Sequence, residues 1–276
     1  MNKKVLVLGA SGTVGSAVAT ALSNKNYEVV VATRSTNRQL AHPSVLLDYQ
    51  RPETFATALE GMDGLFIVMP NFANALVPAF HQLIDLAKEK KVQHIQFLSA
   101  IGADANPEGL HRRIELHIEA SGIAYTFLRP NFFMQNFLTF DKPNLDKGVI
   151  FLPTGEGKCS YIDVRDIANV AATAFFNAEH SNKAYTLTGP KAISSAEIAS
   201  IFSAALGKTI KNINPSEEEY VAALEAFGLP AEAIETNKTL YSVYIRNGYV
   251  AGIADDVEQV TGQAAVSFEE FAKTAI

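Results

Sequence analysis

The chain has 276 residues, 48% of them apolar and 19% charged, with a formal net charge of −6 at pH 7. This balance excludes a disordered chain, which would be too polar to build a core, and the acidic excess excludes a nucleic-acid footprint of clustered Lys and Arg. The single cysteine, Cys159, excludes an internal disulfide and a cysteine-based metal cluster and points to a reducing cytoplasm, while no apolar run approaches the roughly 20 residues of a membrane span.

The chain opens with an apolar strand over 5–8 that glycines interrupt at once, so it reads as a strand and not as a signal peptide. A helix follows over 14–22, with Val14, Val18, Ala21 and Leu22 at helical spacing. Strands are predicted over 28–32 and 44–47, a short helix over 52–59 with Pro52 at its start, and a fourth strand over 65–69. Leu76, Phe80, Leu83 and Ala87 lie on one helical face, and a fifth strand follows over 95–99. A helix over 110–120 and a strand over 125–128 complete an alternation that predicts an α/β fold of the Rossmann type, a doubly wound parallel sheet buried on both faces.

Beyond Arg129-Pro130 the texture changes. Phe132, Phe133, Phe137 and Phe140 crowd together, and strands become short and isolated, over 149–152 and 185–188. Capping-box spacing marks helix starts at Ser194, Ser216 and Ser267, each with Glu three residues on, and Gly207 is a plausible helix stop. The expected organisation is a dinucleotide-binding lobe over 1–130 and a smaller α/β substrate lobe over 131–276, with some interleaving.

Gly9-Ala10-Ser11-Gly12-Thr13-Val14-Gly15 stands between the first strand and the first helix. In that context the pattern predicts a dinucleotide site, in which Gly9 makes the turn, Gly12 admits the pyrophosphate and Gly15 lets helix and strand pack closely. Ser11, Thr13 and Val14 belong to the same cradle, at a helix N-terminus whose free N–H groups favour an anion. The second strand ends Val31-Ala32-Thr33-Arg34, where a site selective for NAD would carry a carboxylate for the ribose 2′-hydroxyl. Arg34, with Arg38 four residues on, would instead meet a 2′-phosphate, so NADP(H) is expected and NAD(H) is the less favoured alternative. Both arginines can also be read as solvated surface charges. Asp48 lies over the adenine position or caps the turn before Pro52.

The glycine spacing, the Ser99 strand end and the run Leu128-Arg129-Pro130-Asn131-Phe132-Phe133-Met134-Gln135-Asn136 resemble the NmrA-like branch of the atypical short-chain dehydrogenases/reductases. Tyr161-Ile162-Asp163-Val164-Arg165-Asp166-Ile167-Ala168 and the ending from Thr261-Gly262 to Phe271 are similar to the same family. Within it the chain is similar in particular to bacterial NAD(P)H:quinone oxidoreductases and triphenylmethane-dye reductases. The resemblance implies a nucleotide-binding lobe and a small substrate lobe. It leaves activity open, because the branch also contains regulators that bind the dinucleotide without turning it over.

Dehydrogenases of the wider superfamily use a Tyr and a Lys four residues apart on the helix after the fifth strand. None of the nine tyrosines here has Lys four residues on. His111 and Glu115 stand at that place, one turn apart. Without a strong acid beside the reacting oxygen, alcohol oxidation and nucleotide-sugar epimerisation are disfavoured. Hydride transfer to a quinone or to another flat, electron-poor acceptor such as a dye or azo compound, with no flavin or metal, is the expected reaction. A redox-sensing dinucleotide-binding regulator is the alternative.

His111 is the candidate proton donor, with Glu115 orienting its imidazole or raising its pKa, or else the two are an ordinary surface pair. Ser99 bonds substrate or cofactor amide, or merely ends its strand. Met69 and Pro70 are expected along the cofactor ribose. By family analogy, backbone atoms of Pro130 and Asn131, with Phe132, meet the carboxamide. Asn71, His111, Phe133, Phe137 and Tyr241 are the expected substrate contacts, with Tyr241, Tyr244 and Tyr249 as a mobile lid. The expected partner is a small aromatic acceptor, with no nucleic acid or membrane, and a homodimer is left open.

Overall fold

Runs such as Val5-Leu6-Val7-Leu8 and Leu65-Phe66-Ile67 are apolar at every position and wholly buried, which requires helices on both faces of the sheet that contains them. The computed structural model describes residues 2–35, 40–70 and 73–274. The first half runs β1 Lys4–Val7, α1 Thr13–Asn24, β2 Glu28–Thr33, β3 Ser44–Leu46, α2 Phe55–Ala58, β4 Gly64–Val68, α3 Val77–Glu89, β5 His94–Leu98, α4 Leu110–Ser121 and β6 Ala124–Pro130. Then come α5 Lys142–Asp146, β7 Val149–Phe151, β8 Lys158–Cys159, α6 Val164–Ala174, β9 Lys183–Leu187, β10 Ile193–Ser194, α7 Ser195–Leu206 and β11 Lys211–Ile213. The chain ends with α8 Glu217–Ala226, α9 Ala231–Thr239, a π-helix Leu240–Ile245, α10 Asp256–Thr261 and α11 Phe268–Thr274.

Seven parallel strands form one sheet in the order β3-β2-β1-β4-β5-β6-β9. Strand order reverses between β1 and β4, so the connections wind outward in both directions and the fold is a Rossmann-type doubly wound α/β sheet. One face is closed by α2, α3 and α4, whose Phe55, Phe80, Leu83, Ile114 and Ile118 join Leu6, Ile67, Ile95 and Phe97 in a continuous core. On the other face α1 packs against α6, and Gln96, fully buried in β5, donates from Nε2 to the Ala171 carbonyl of α6 at 3.0 Å.

The chain clusters into two compact units, residues 1–130 with 164–187 and 259–262, and residues 131–163 with 188–258 and 263–276. The strand expected to stand alone over 185–188 is in fact β9, the seventh strand of the main sheet, in register with β6 from Thr126↔Lys183 to Pro130↔Leu187. Its isolation in sequence hid this, because a strand added at a sheet edge carries no mark of which sheet it joins. The second unit is held by interlocking rings. Phe137 sits 5.5 Å from Tyr161, 5.8 Å from Phe202 and 5.5 Å from Phe268, at steep angles that pack edge against face. Ser194 and Ser216 cap α7 and α8 in complete capping boxes, and Gly207 ends α7 in the left-handed conformation. Among the described residues no helix is long and apolar enough to cross a membrane.

Candidate active site

The glycine turn is built as its spacing requires. Gly9 has φ +69°, a conformation that favours glycine, and an added Cβ there would press on Val68 Cβ at 3.0 Å. The Gly12 N–H closes the turn on the Gly9 carbonyl at 2.9 Å, and a Cβ on Gly15 would overlap that same carbonyl oxygen. Ser11, Gly12 and Thr13 are exposed, whereas Val14 is buried and presents only backbone. Helix α1 begins at Gly12 with no side-chain cap and no acidic residue in its first turn. Its leading N–H groups therefore face the turn without a competing carboxylate, which fits an anionic pyrophosphate.

Beside this cradle lie the carboxyl ends of the neighbouring strands. Thr33 folds its hydroxyl onto the Ser35 carbonyl at 2.9 Å, and Arg34 is exposed at the end of β2. Arg38 and Asn71 lie outside the described residues. Asp48 caps the turn that follows β3. Its carboxylate accepts from the Gln50 N–H at 3.0 Å and from Arg51 Nε at 3.2 Å, so the turn-capping role is the one the geometry bears. Met69 is half-buried and Pro70 exposed immediately beyond β4, where the Tyr49 hydroxyl anchors the Val68 carbonyl at 3.0 Å.

At the ends of β5 and β6 stands a charged network that the sequence reading missed. Glu115 on α4 is fully buried. Its Oε1 accepts from Ser99 Oγ at 2.7 Å and from Arg129 Nε at 2.9 Å, and its Oε2 accepts from Arg129 Nη2 at 2.8 Å and from Arg112 Nη1 at 2.9 Å. Arg129 reaches on to Asp104 at 2.9 Å, and Arg112 to Glu119 at 2.8 Å. Burial pushes the Glu115 carboxyl upward, but the bonds from Arg129, Ser99 and Arg112 and the Arg129 charge outweigh it and hold the group below the usual carboxylate range. Glu115 is thus an anion with every acceptor position filled.

Of the two roles expected for Glu115, the charge does raise the His111 pKa, but the carboxylate makes no hydrogen bond to the imidazole. The two residues share a helix face, yet the carboxylate turns inward to the arginines. His111 is half-buried with its ring 6.1 Å from Phe97, and burial lowers its pKa against the opposing pull of Glu115, leaving a neutral imidazole at pH 7. Ser99 is buried and its one proton is engaged by Glu115, so it neither merely ends a strand nor donates outward. The signal for this network was a lone arginine closing the buried strand Tyr125-Thr126-Phe127-Leu128-Arg129, since a charge in such a strand demands a partner.

In the second unit, several expected contacts are structural. The Asn131 side chain donates to Ser160 Oγ and to the Val250 carbonyl, both at 2.8 Å, and accepts from the Phe132 N–H at 2.9 Å. The carbonyl of Pro130, in the first unit, already accepts the Ile101 N–H at 3.0 Å. Phe137 is wholly buried in the ring cluster, so it is core and not a substrate contact. Tyr241 is not a lid. It is buried in the π-helix, 5.7 Å from Phe132 and 5.9 Å from Tyr220, and only its neighbours Tyr244 and Tyr249 are exposed. Helical spacing brings an apolar-faced tyrosine inward just as readily as a phenylalanine. Phe132 and Phe133 are half-buried.

The NmrA-like family matches residues 1–273 of the chain. It is 36% identical to an NAD(P)H azoreductase of Xenophilus azovorans over 282 residues, covering 98% of this chain and 96% of the relative. The crystal structure of an NADPH-dependent quinone oxidoreductase from Escherichia coli complexed with NADPH superposes with a TM-score of 0.86 at 25% identity, covering 98% of this chain and 99% of that one. A triphenylmethane reductase of Citrobacter sp., complexed with NADP(H), shares the fold with a TM-score of 0.86 at 24% identity over 99% and 100% of the two chains. By the extent of these matches, and by the glycine turn and strand order that accompany them, the chain belongs to the NmrA-like family.

Proposed function

We propose that this protein is an NADPH-dependent reductase that passes a hydride to a quinone or to another flat, electron-poor acceptor such as an azo compound or dye. One observation carries the reading: beside a cradle suited to a pyrophosphate, none of Ser99, His111 and Glu115 is held as a strong acid. The Ser99 hydroxyl donates its hydrogen bond to Glu115, Glu115 is a clamped anion, and burial lowers the His111 pKa, which disfavours the imidazolium. Reactions that need a strong protein acid at the reacting oxygen find none among these three residues. A quinone gains two electrons and ends as a weakly basic oxyanion that water protonates, so the protein's task reduces to binding and orientation.

The cofactor, when bound, supplies the hydride. The N–H groups at the start of α1, with the backbone of Ser11, Gly12 and Thr13, would hold its pyrophosphate. Arg34, aided by Arg38, would meet a 2′-phosphate, and Met69 and Pro70 would line the adjoining ribose. Phe132 and Phe133, both half-buried, would offer ring surface to a flat ligand. The azoreductase and quinone oxidoreductase names of the relatives support the same substrate class. The reducing compartment and the second copy expected from sequence stand with this reading as proposals, to be checked by localisation and by light scattering.

The test is NADPH oxidation followed at 340 nm with simple benzoquinones, azo dyes and triphenylmethane dyes. Steady turnover with at least one class is expected. Tight NADPH binding with no turnover across the whole panel would overturn the catalytic reading in favour of a dinucleotide-sensing regulator.

A further inference from the structure

We infer that Arg129 is a positioning residue for the nicotinamide end of the site: by clamping Glu115 it fixes the Ser99 hydroxyl as a hydrogen-bond acceptor for the carboxamide N–H of the cofactor. The inference rests on the NADPH reading above and goes beyond it in assigning this chain's own residues a division of labour.

Topology puts Ser99 where that end belongs. The order reverses between β1 and β4, and a dinucleotide lies across such a reversal at the carboxyl ends of the strands. With the pyrophosphate at α1 and the 2′-phosphate at Arg34 beyond β2, the nicotinamide half extends the other way, over β4 and β5. Ser99 immediately follows β5.

The hydroxyl's role follows from counting protons. A serine has one O–H to donate and lone pairs to accept with. That proton lies on Glu115 Oε1 at 2.7 Å, so anything else that meets Ser99 Oγ must be a donor. A primary carboxamide has such N–H groups, whereas the carbonyl of an oxidised quinone has none. What holds the serine in this state is the arginine. Arg129 takes both carboxylate oxygens in a fork, from Nε and Nη2, and so fixes the plane of Glu115. Its third nitrogen is pinned to Asp104 at 2.9 Å, in the short turn Ala103–Ala105 beyond β5. Arg112 completes the set on Oε2. No rotation of the carboxylate can free the Ser99 proton without breaking a charged bond. Lysine, with a single point of charge, cannot reproduce the fork.

The measurement compares two ligands by calorimetry: NADP⁺ and its 3-acetylpyridine analogue, which replaces the carboxamide by an acetyl group lacking N–H. The wild-type protein is expected to favour NADP⁺ by about two- to tenfold, the range one neutral hydrogen bond gives. Ser99→Ala and Arg129→Met should bring the ratio close to one, and Arg129→Lys should leave it in between, with thermal unfolding recorded for each. If Arg129→Met does not fold, Ser99→Ala and Arg129→Lys still decide. A ratio unchanged in the variants, with both affinities falling together alongside stability, would reduce Arg129 to a structural tie and overturn the inference alone. A wild-type ratio near one, with both ligands bound, would do the same. Failure of the wild type to bind either ligand would overturn the NADPH reading itself.

Discussion

Asp141 should make the protein lose stability as pH rises from acid to neutral, and Asp141→Asn should abolish that loss. The side chain is buried, the Tyr241 hydroxyl is its one favourable partner, and its Oδ2 has no hydrogen-bond partner among the described residues. The groups facing it are Tyr241, Tyr220 and Tyr161, all pushed up by their own burial and all neutral, so none supplies a compensating cation. Burial raises the carboxyl from 3.8 to about 7, with the Tyr241 bond pulling weakly the other way.

The sign follows from proton binding. Between these two values the folded protein keeps the proton while the unfolded chain sheds it. The contribution is therefore fully present below about pH 4 and is lost as pH rises through 7. A shift of about three units at about 1.4 kcal/mol each sets an upper bound near 4 kcal/mol on the loss. Asparagine keeps the shape and cannot ionise. The informative quantity is the difference in unfolding free energy between variant and wild type, because every other titrating group cancels. Urea unfolding followed by circular dichroism at about pH 4.5 and about pH 8.5 should show that difference moving toward the variant by about 2–4 kcal/mol. A difference independent of pH would mean that Asp141 is solvated or paired in solution, and the reasoning from burial would fail.

Arg34→Asp should weaken NADPH binding by about 10–100-fold, the cost of losing a charge-assisted bond and gaining repulsion, while NADH binding is kept; equal losses for both cofactors, measured by fluorescence titration, would remove the 2′-phosphate role. His111→Gln should cost less than about fivefold in kcat with a quinone, and wild-type kcat should stay level from about pH 7 to 8.5, because burial lowers the imidazole's pKa. A histidine acting as the acid would instead make kcat fall as pH rises through its lowered pKa, with a loss of about 100-fold or more in the variant.

The strands and the turn were legible because their signals are local. Gly9, Gly12 and Gly15 each answer to a steric demand within a few residues, and the apolar runs of β1, β4 and β5 announce burial on both faces. What sequence reasoning missed depends on contacts between distant segments. β9 joins β6 across more than fifty residues, and no local pattern states that pairing. Glu115 and His111 share a helix face, and helical spacing suggests that they meet; it cannot reveal that Arg129, on the next strand fourteen residues on, outbids the histidine with a bidentate fork. Phe137 and Tyr241 failed for a related reason. An aromatic residue in a polar-aromatic run suits a pocket wall and a core equally, and only the neighbours Phe202, Phe268 and Tyr220, contributed by later helices, decide between them.

The buried ion network bears on why the missing Tyr–Lys pair leaves a functioning architecture. A fully buried carboxylate is costly unless its partners are complete, and removing one partner leaves an uncompensated charge worth about 3–5 kcal/mol. Glu115 has its four acceptor positions filled by Ser99, Arg112 and Arg129, so α4 is bound to the ends of β5 and β6 by a cluster that has no proton to release near neutral pH. Where a Tyr–Lys pair would make this corner of the sheet an acid, the network makes it rigid and leaves the Ser99 hydroxyl only lone pairs to offer. Such a corner orients a ligand through the ligand's own donors. It suits chemistry in which the transferred hydride, and not a proton from the protein, sets the outcome.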